Sequence, residues 1–335
     1  MRIIVPMAGI GSRLRPHTLT IPKPLTKIAG KSIVQRLVED IAKVINKPIE
    51  EIVFIIGPSF PKDTKKNLLK IAKKLNTKGT IEIQQEALGT AHAIFCAKKA
   101  LKGPCVVAFA DTLFKANFTL DKNADGVIWV KQVTNPGAFG VVKLQHGIIT
   151  DFVEKPKTFV SDLAIIGIYY FKNAEYLRDE IQYLLDNNLK EHGEYQLTNA
   201  LEALKQKGLK FVPGKVDAWM DCGNKEVTLD TNSKVLQFAK EANINLVDNS
   251  VLKENSKIIP PCFIGKNVKL INSTIGPYVS LGDNSSVANS TITNSLIQEN
   301  TQIKNAQLNK AMIGNYVIYD GNFKHISLGD FSRLE

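Results

Sequence analysis

Short aliphatic and β-branched runs alternate with longer stretches of helical periodicity from the first residues to about position 240. Strands are predicted at Ile3 to Pro6, Ile52 to Ile56, Ile81 to Gln84, Cys105 to Phe109, Gly126 to Val130, Phe139 to Leu144, Ala164 to Phe171 and Lys210 to Val212. Between them, Ile33 to Val44, Asp63 to Leu75, Thr90 to Ala100, Ala174 to Leu185 and Gln196 to Lys207 carry apolar residues three and four apart, the spacing of one helix face. This alternation predicts an α/β domain with a Rossmann-like, mostly parallel sheet and helices on both faces. Ligands of such sheets bind at the carboxyl ends of the strands.

The texture changes after Asn245. Ile264, Leu270, Ile275, Leu281, Val287, Ile292, Ile297, Ile303, Leu308 and Ile313 follow one another in steps of five or six, with Gly, Asn, Ser and Thr between them. Such a step matches neither the helical 3.6 nor the strand period of two. It suits a triangular coil in which each short side contributes one inward residue. The ten positions predict about three coils. Asn is dense because the corners need left-handed backbone, which Asn and Gly tolerate best. This pattern resembles the left-handed parallel β-helix of hexapeptide repeats. Two domains are therefore expected, residues 1–242 and 243–335.

Composition narrows the class. Hydrophobic residues make up 44% and charged residues 22%, enough to bury a real core and too ordered for a disordered tail. The longest apolar stretch, Leu163 to Phe171, contains Gly167 and falls far short of the ~18 residues of a membrane span. Only three consecutive aliphatics precede the first glycine, too few for a secretory leader, so a cytoplasmic protein is expected. Cys96, Cys105, Cys222 and Cys262 are scattered, which favours free thiols over disulfides or metal ligands. The net charge of +11 would draw any polyanion. The segment after residue 244 carries only +1 of it, so a phosphate site belongs in the first domain. Seven lysines between Lys62 and Lys78 accompany Leu68, Ala72 and Leu75 at helical spacing, which reads as the solvated face of a helix. Neither nucleic acid nor a membrane is an expected partner.

The first predicted strand runs directly into Ala8, Gly9, Ile10, Gly11, Ser12, Arg13 and Leu14. Glycines here let backbone N–H groups approach phosphate oxygens. The turn fits neither standard nucleotide motif. Leu14 stands where the dinucleotide fingerprint needs Gly, and Arg13 follows Ser12 where the P-loop needs Lys and then Ser or Thr. The continuation is more specific: Thr18, then Pro22-Lys23-Pro24-Leu25, then Gly30-Lys31-Ser32-Ile33. Together with Gly11-Ser12-Arg13-Leu14 it resembles the sugar-1-phosphate nucleotidyltransferases. That family includes glucose-1-phosphate thymidylyltransferases and N-acetylglucosamine-1-phosphate uridylyltransferases. Similar blocks follow in the family's order at Gln84 to Ala91, Asp111, Phe139 to Val142, Glu154 to Pro156, Gly193 to Thr198 and Trp219 to Gly223.

The resemblance implies a chemistry and assigns it to residues. A nucleoside triphosphate and a sugar-1-phosphate would give a nucleotide sugar and pyrophosphate, a transfer governed by in-line positioning and charge neutralisation. Ala8, Gly9, Gly11 and Ser12 would cradle the triphosphate, with Arg13 and Lys23 as catalytic cations. Asp111 and Asp221 would hold Mg²⁺, a hard ion suited to carboxylate oxygens. Gln84, Gly89 and Thr90 would bind the nucleotide, the Gln84 amide and Gly89 backbone matching the imide edge of uracil or thymine, so UTP or dTTP is favoured. Gly140, Glu154, Lys155, Gly167 and Glu194 would take the sugar phosphate. Ile166 and Asn199 depart from the family's common residues and bear on the identity of the sugar.

Two other classes compete. Hexapeptide β-helices often carry acyl transfer, but such enzymes rely on a coil-borne His, and none occurs from Gly193 to Lys324. A non-catalytic regulatory subunit would not need Arg13, Lys23, Asp111, Asp221 and Lys155 together. The β-helix is expected to mediate homo-oligomerisation.

Overall fold

The computed structural model describes residues 1–9, 11–45, 47–116, 123–323 and 325. They fall into two compact units, one of Met1–Ile10 and Val34–Trp219, the other of Gly11–Ile33 and Met220–Glu335. Among the described residues no helix is long and apolar enough to cross a membrane.

The first unit is a nine-stranded sheet clad by helices. One side is parallel out to its edge: Cys105–Ala108, Arg2–Pro6, Glu51–Ile56 and Lys78–Ile83 lie side by side in that order. Ile3, Ile4, Val5, Val53, Phe54, Ile55, Val106 and Val107 are buried, as strands covered on both faces must be. Beyond Cys105–Ala108 the sheet turns antiparallel through Leu163–Phe171, which also pairs with Gly126–Gln132 and Val141–Gln145. The sheet is thus parallel on the side that ends at Lys78–Ile83 and mixed on the other. Helices α1 (Ile33–Ile45), α2 (Lys62–Lys74), α3 (Thr90–Phe95), α4 (Ala174–Asp186) and α5 (Leu197–Gln206) fall on the predicted stretches. Helix α2 buries Thr64, Leu68, Ile71 and Ala72 and exposes its lysines, as an amphipathic surface helix should. Helix α3 stops at Phe95, short of the expected Ala100. There the bonding tightens to three-residue steps, with Ala97 N donating to Ile94 O and Ala100 N to Ala97 O.

The second unit contains the β-helix. Three short parallel sheets stack along it, five strands deep on one side and four on each of the others. The expected three coils undercount it, because Val247, Val251 and Ile258 of the first coil and Tyr319 of the last also pack on the core. Lys269 pairs with Ser286, and Ser286 with Gln302, so a coil takes 17 and then 16 residues. All ten of the repeating aliphatics line the interior. The corners are left-handed at Asn267, Asn272, Asn284, Asn289, Asn300 and Asn305, as the composition predicted. Their side chains form ladders, with Asn272 Nδ2 donating to Asn289 Oδ1 at 3.3 Å and Asn289 Nδ2 to Asn305 Oδ1 at 3.3 Å.

The longest helix among the described residues, α6 (Lys225–Glu241), belongs to this unit and was not expected. Its buried positions include Thr228, Thr231 and Asn232, so it presents no apolar stripe to read. Asn224 caps it, its Oδ1 accepting from Val227 N at 3.1 Å. Asn232 faces the β-helix, where its Oδ1 accepts from Ser280 Oγ at 2.6 Å.

Candidate functional site

Strand Arg2–Pro6 has a partner of later sequence on either side, so the direction of winding reverses there. Such a reversal opens a crevice at the carboxyl ends of the strands. Met7 N donates to Ile55 O at 2.9 Å, Gln84 N to Ile56 O at 2.9 Å and Ala110 N to Pro6 O at 3.3 Å. These bonds set the ends of four neighbouring strands level. Ala8, Gly9, Gln84 and Asp111 therefore follow strand ends along one edge of the sheet. A Cβ on Gly9 would meet nothing within 4 Å, so its absence leaves room above the strand rather than relieving a clash. Ile10 lies outside the described residues.

Gln84 is buried, and its Nε2 donates to Gly89 O at 3.2 Å. Gly89 has φ +110°, and a Cβ there would stand 2.5 Å from Tyr195 O and 2.7 Å from Tyr195 N, so no other residue fits. The loop around Gly89 is tied to residues 194–197. Ala91 N donates to Tyr195 O and Tyr195 N to Leu88 O, at 2.9 and 2.8 Å. Thr90 Oγ1 accepts from Leu197 N at 2.9 Å and donates to Gln196 Oε1 at 3.4 Å, so its hydroxyl joins the two loops. Glu194 is exposed on the second loop, its Oε2 accepting from Gln196 Nε2 at 3.1 Å.

Gly140, Glu154 and Lys155 converge. Thr198 Oγ1 donates to Glu154 Oε2 at 3.0 Å, and Lys155 Nζ lies 3.6 Å from Glu154 Oε1. A Cβ on Gly140 would stand 3.0 Å from Thr198 Cγ2 and 3.1 Å from Glu154 Oε2. Lys155 adopts φ +38°, a strained value for a side chain of its size, held by its N–H donating to Phe139 O at 3.1 Å. Gly167 has φ +82° within Leu163–Phe171, and its carbonyl accepts from Phe109 N at 2.9 Å. Two residues on is Tyr169, whose phenol is pushed well above its usual range, by burial first and then by the charges of Glu154 and Asp111.

The rest of the predicted set lies in the second unit. Gly11 adopts φ +68° and opens a 3-10 turn over Ser12–Leu14, where Ser12 and Arg13 are exposed. Thr18 Oγ1 donates to Gly11 O at 2.8 Å. Lys23 is buried to 7% exposure at the start of a second turn, Lys23–Leu25. The following turn is held by the β-helix: Gln298 Nε2 donates to Lys27 O at 3.0 Å, and Lys27 pairs with Glu299. A Cβ on Gly30 would strike the Phe263 ring at 2.4 Å. Asp221 ends strand Ala218–Asp221, its carbonyl accepting from Thr231 Oγ1 at 2.6 Å. Gly223 gives its carboxylate room, since a Cβ there would lie 2.9 Å from Asp221 Oδ2.

Asp111 and Asp221 offer only oxygen donors. Among the described residues no three His, Cys, Asp or Glu side chains form a group that could hold a metal. Each aspartate is a carboxylate, the donor chemistry that suits Mg²⁺, an ion that completes its shell with water and phosphate oxygens. The sequence reading missed Thr198, which orients Glu154, and Tyr195, which sits beneath Gly89. Both lie inside the Gly193 to Thr198 block, which was legible as a block but not residue by residue.

A family model described as nucleotidyl transferase matches residues 3–237. The chain is 31% identical over 271 residues to the bifunctional protein GlmU of Methanococcus maripaludis, covering 78% of this chain and 62% of that protein. It therefore spans about three fifths of the length of that relative. It is 26% identical to the glucose-1-phosphate thymidylyltransferase of Streptomyces antibioticus, covering 100% of this chain and 99% of that one. Among solved structures, the nucleoside-diphosphate-sugar pyrophosphorylase of Vibrio cholerae matches with a TM-score of 0.60 at 23% identity, over 69% of this chain and 99% of that one, a likeness of fold.

Proposed function

This chain belongs to the nucleotidyl transferase family, and from that membership we propose that it joins a nucleoside triphosphate to a sugar-1-phosphate, releasing pyrophosphate. The observation that carries the reading is the gathering of Ala8, Gly9, Gln84 and Asp111 at the carboxyl edge of the parallel strands around the winding reversal. A sugar-phosphate oxygen attacks the α-phosphorus, a new P–O bond forms, and the bond to pyrophosphate breaks.

The chain supplies positioning and charge. The amides of Ala8, Gly9, Gly11 and Ser12 receive the triphosphate, and the Arg13 guanidinium neutralises the departing pyrophosphate. Lys23, desolvated along its stem, places one cation at the reacting phosphates. Gln84, Gly89 and Thr90 take the base side, with Gly89 fixed by Tyr195 and Thr90 closing the loop. Glu154 accepts from sugar hydroxyls while Lys155 meets the sugar phosphate. Gly140, Gly167 and Glu194 complete that side. Asp111 and Asp221 would hold Mg²⁺, which supplies charge neutralisation to the phosphates when bound. UTP or dTTP is the favoured nucleotide, and the name of the Streptomyces relative supports the pyrimidine choice. We assign residues 1–242 to catalysis and 243–335 to a β-helix through which copies associate, in the cytoplasm.

Pyrophosphate release with Mg²⁺ from a grid of nucleoside triphosphates against glucose-, N-acetylglucosamine-, galactose- and mannose-1-phosphate tests the reading. Release by one pair supports it and names both substrates. Release at the same rate without any sugar phosphate would refute it in favour of hydrolysis.

A further inference from the structure

Gln84 is held at two points. Its Nε2 lies 3.2 Å from Gly89 O and 3.2 Å from Nδ1 of His92, two residues into helix α3. The Gly89 carbonyl can only accept, which puts the amide nitrogen, not Oε1, on that side. An amide nitrogen can only donate, so His92 Nδ1 must accept, and the imidazole proton sits on Nε2. Burial lowers the pKa of His92, with Glu86 acting in the opposite sense, and a neutral ring is the form this bond requires. Both hydrogens of the carboxamide are then spent within the protein. Oε1 is the polar atom left to meet a ligand.

We propose that His92 is a positioning residue for base choice: by accepting from Gln84 Nε2 it locks the carboxamide with Oε1 toward the base, selecting a ring N–H. The proposal rests on the reading of this site as the base side of a nucleotidyl transferase. Uracil and thymine carry N3–H and satisfy Oε1. Cytosine N3 and adenine N1 present lone pairs, which would set two acceptors face to face in a buried place. Guanine N1–H meets the same requirement, so the lock separates UTP from CTP and ATP and leaves GTP to be judged by its larger ring. Without the His92 bond, the amide could turn and present Nε2 to cytosine instead.

Binding of UTP, CTP and N3-methyl-UTP to the full chain is measured by calorimetry, and pyrophosphate release is followed separately. The wild type should bind UTP at least about 10-fold more tightly than either of the others. His92→Phe keeps a ring without an acceptor and should reduce the UTP-over-CTP preference about 10-fold. His92→Asn places an acceptor oxygen where Nδ1 stood and should restore the preference to within about 3-fold. A preference unchanged in His92→Phe, or lost equally in His92→Asn, overturns the lock. So does N3-methyl-UTP binding the wild type as tightly as UTP, a comparison that needs no variant to fold. UTP binding with the expected preference but no pyrophosphate release for any sugar-1-phosphate refutes the proposed function and leaves the lock standing. Absence of binding by every nucleotide overturns both.

Discussion

Lys23 rests the base of its side chain against Gly11: a methyl on Gly11 would stand 2.9 Å from Lys23 Cβ. The two residues are twelve apart in sequence, and the left-handed turn at Gly11 is what leaves room for the lysine stem. Gly11→Ala should cost about 1–2 kcal/mol from the left-handed backbone alone. It should also lower kcat/KM at least about 10-fold, since a displaced cation no longer meets charge as it develops. Urea unfolding and steady-state kinetics on the same preparation separate the two effects, and unchanged kcat/KM would mean that Lys23 is placed independently of Gly11.

Asp111→Asn and Asp221→Asn should each reduce turnover at least about 100-fold, the scale of losing metal-assisted charge stabilisation. Melting temperature should hold, because neither side chain sits in the hydrophobic core. The Mg²⁺ concentration for half-maximal activity should rise in both. Near wild-type turnover in Asp111→Asn would defeat the metal assignment.

At the sugar side, Gly140→Ala would press a methyl to 3.0 Å from Thr198 Cγ2 and 3.1 Å from Glu154 Oε2, pushing the carboxylate off its hydroxyl partner. The expected outcome is a KM for sugar phosphate raised about 10-fold, with the KM for the nucleotide little changed, because one partly buried charge-assisted hydrogen bond is at stake. Thr198→Val should raise the same constant. Equal rises for both substrates would place Glu154 away from the sugar.

His17 gives a pH prediction. Burial, reinforced by the positive charge of Lys225, holds its pKa below the ordinary value of about 6.5. The unfolded chain therefore takes up a proton at a higher pH than the folded one. Stability from this group is full above about pH 6.5 and is lost as the pH falls toward the lowered folded value. The urea midpoint should drop between pH 7.5 and pH 5.5, and His17→Gln should flatten that drop. A midpoint equally pH-dependent in the variant would assign the loss to other groups.

Much of this molecule could be read before its structure. The parallel side of the sheet was legible because buried parallel strands are continuous aliphatic runs, as Ile3 to Val5 and Ile52 to Ile56 illustrate. The coils were legible because their inward residues repeat and their corners demand Asn. Helix α6 was not, since Thr228, Thr231 and Asn232 are buried by hydrogen bonding rather than by apolarity. In the site, blocks such as Gln84 to Ala91 gave the positions of candidate residues. Their partners were not given, because Tyr195 beneath Gly89 and His92 beside Gln84 are brought there by backbone geometry. The first coil was undercounted because Val247, Val251 and Ile258 precede the regular step and are only partly buried.

The turn that follows the Gly-rich segment is finished by residues far along the chain, and this gives the molecule a temporal order. Gly30 rests on Phe263, and the Lys27 carbonyl is met by Gln298. At about 5 to 20 residues per second, a ribosome makes Phe263 roughly 10 to 50 s after Gly30. Arg2–Pro6 can pair with Glu51–Ile56 early in that interval, while the turn between them stays without its seat. A nascent chain halted before the coils would carry the whole Gly-rich segment and lack the surface on which its following turn rests. Completion of roughly the last quarter of the polypeptide thus comes before the turn in its first tenth can be seated.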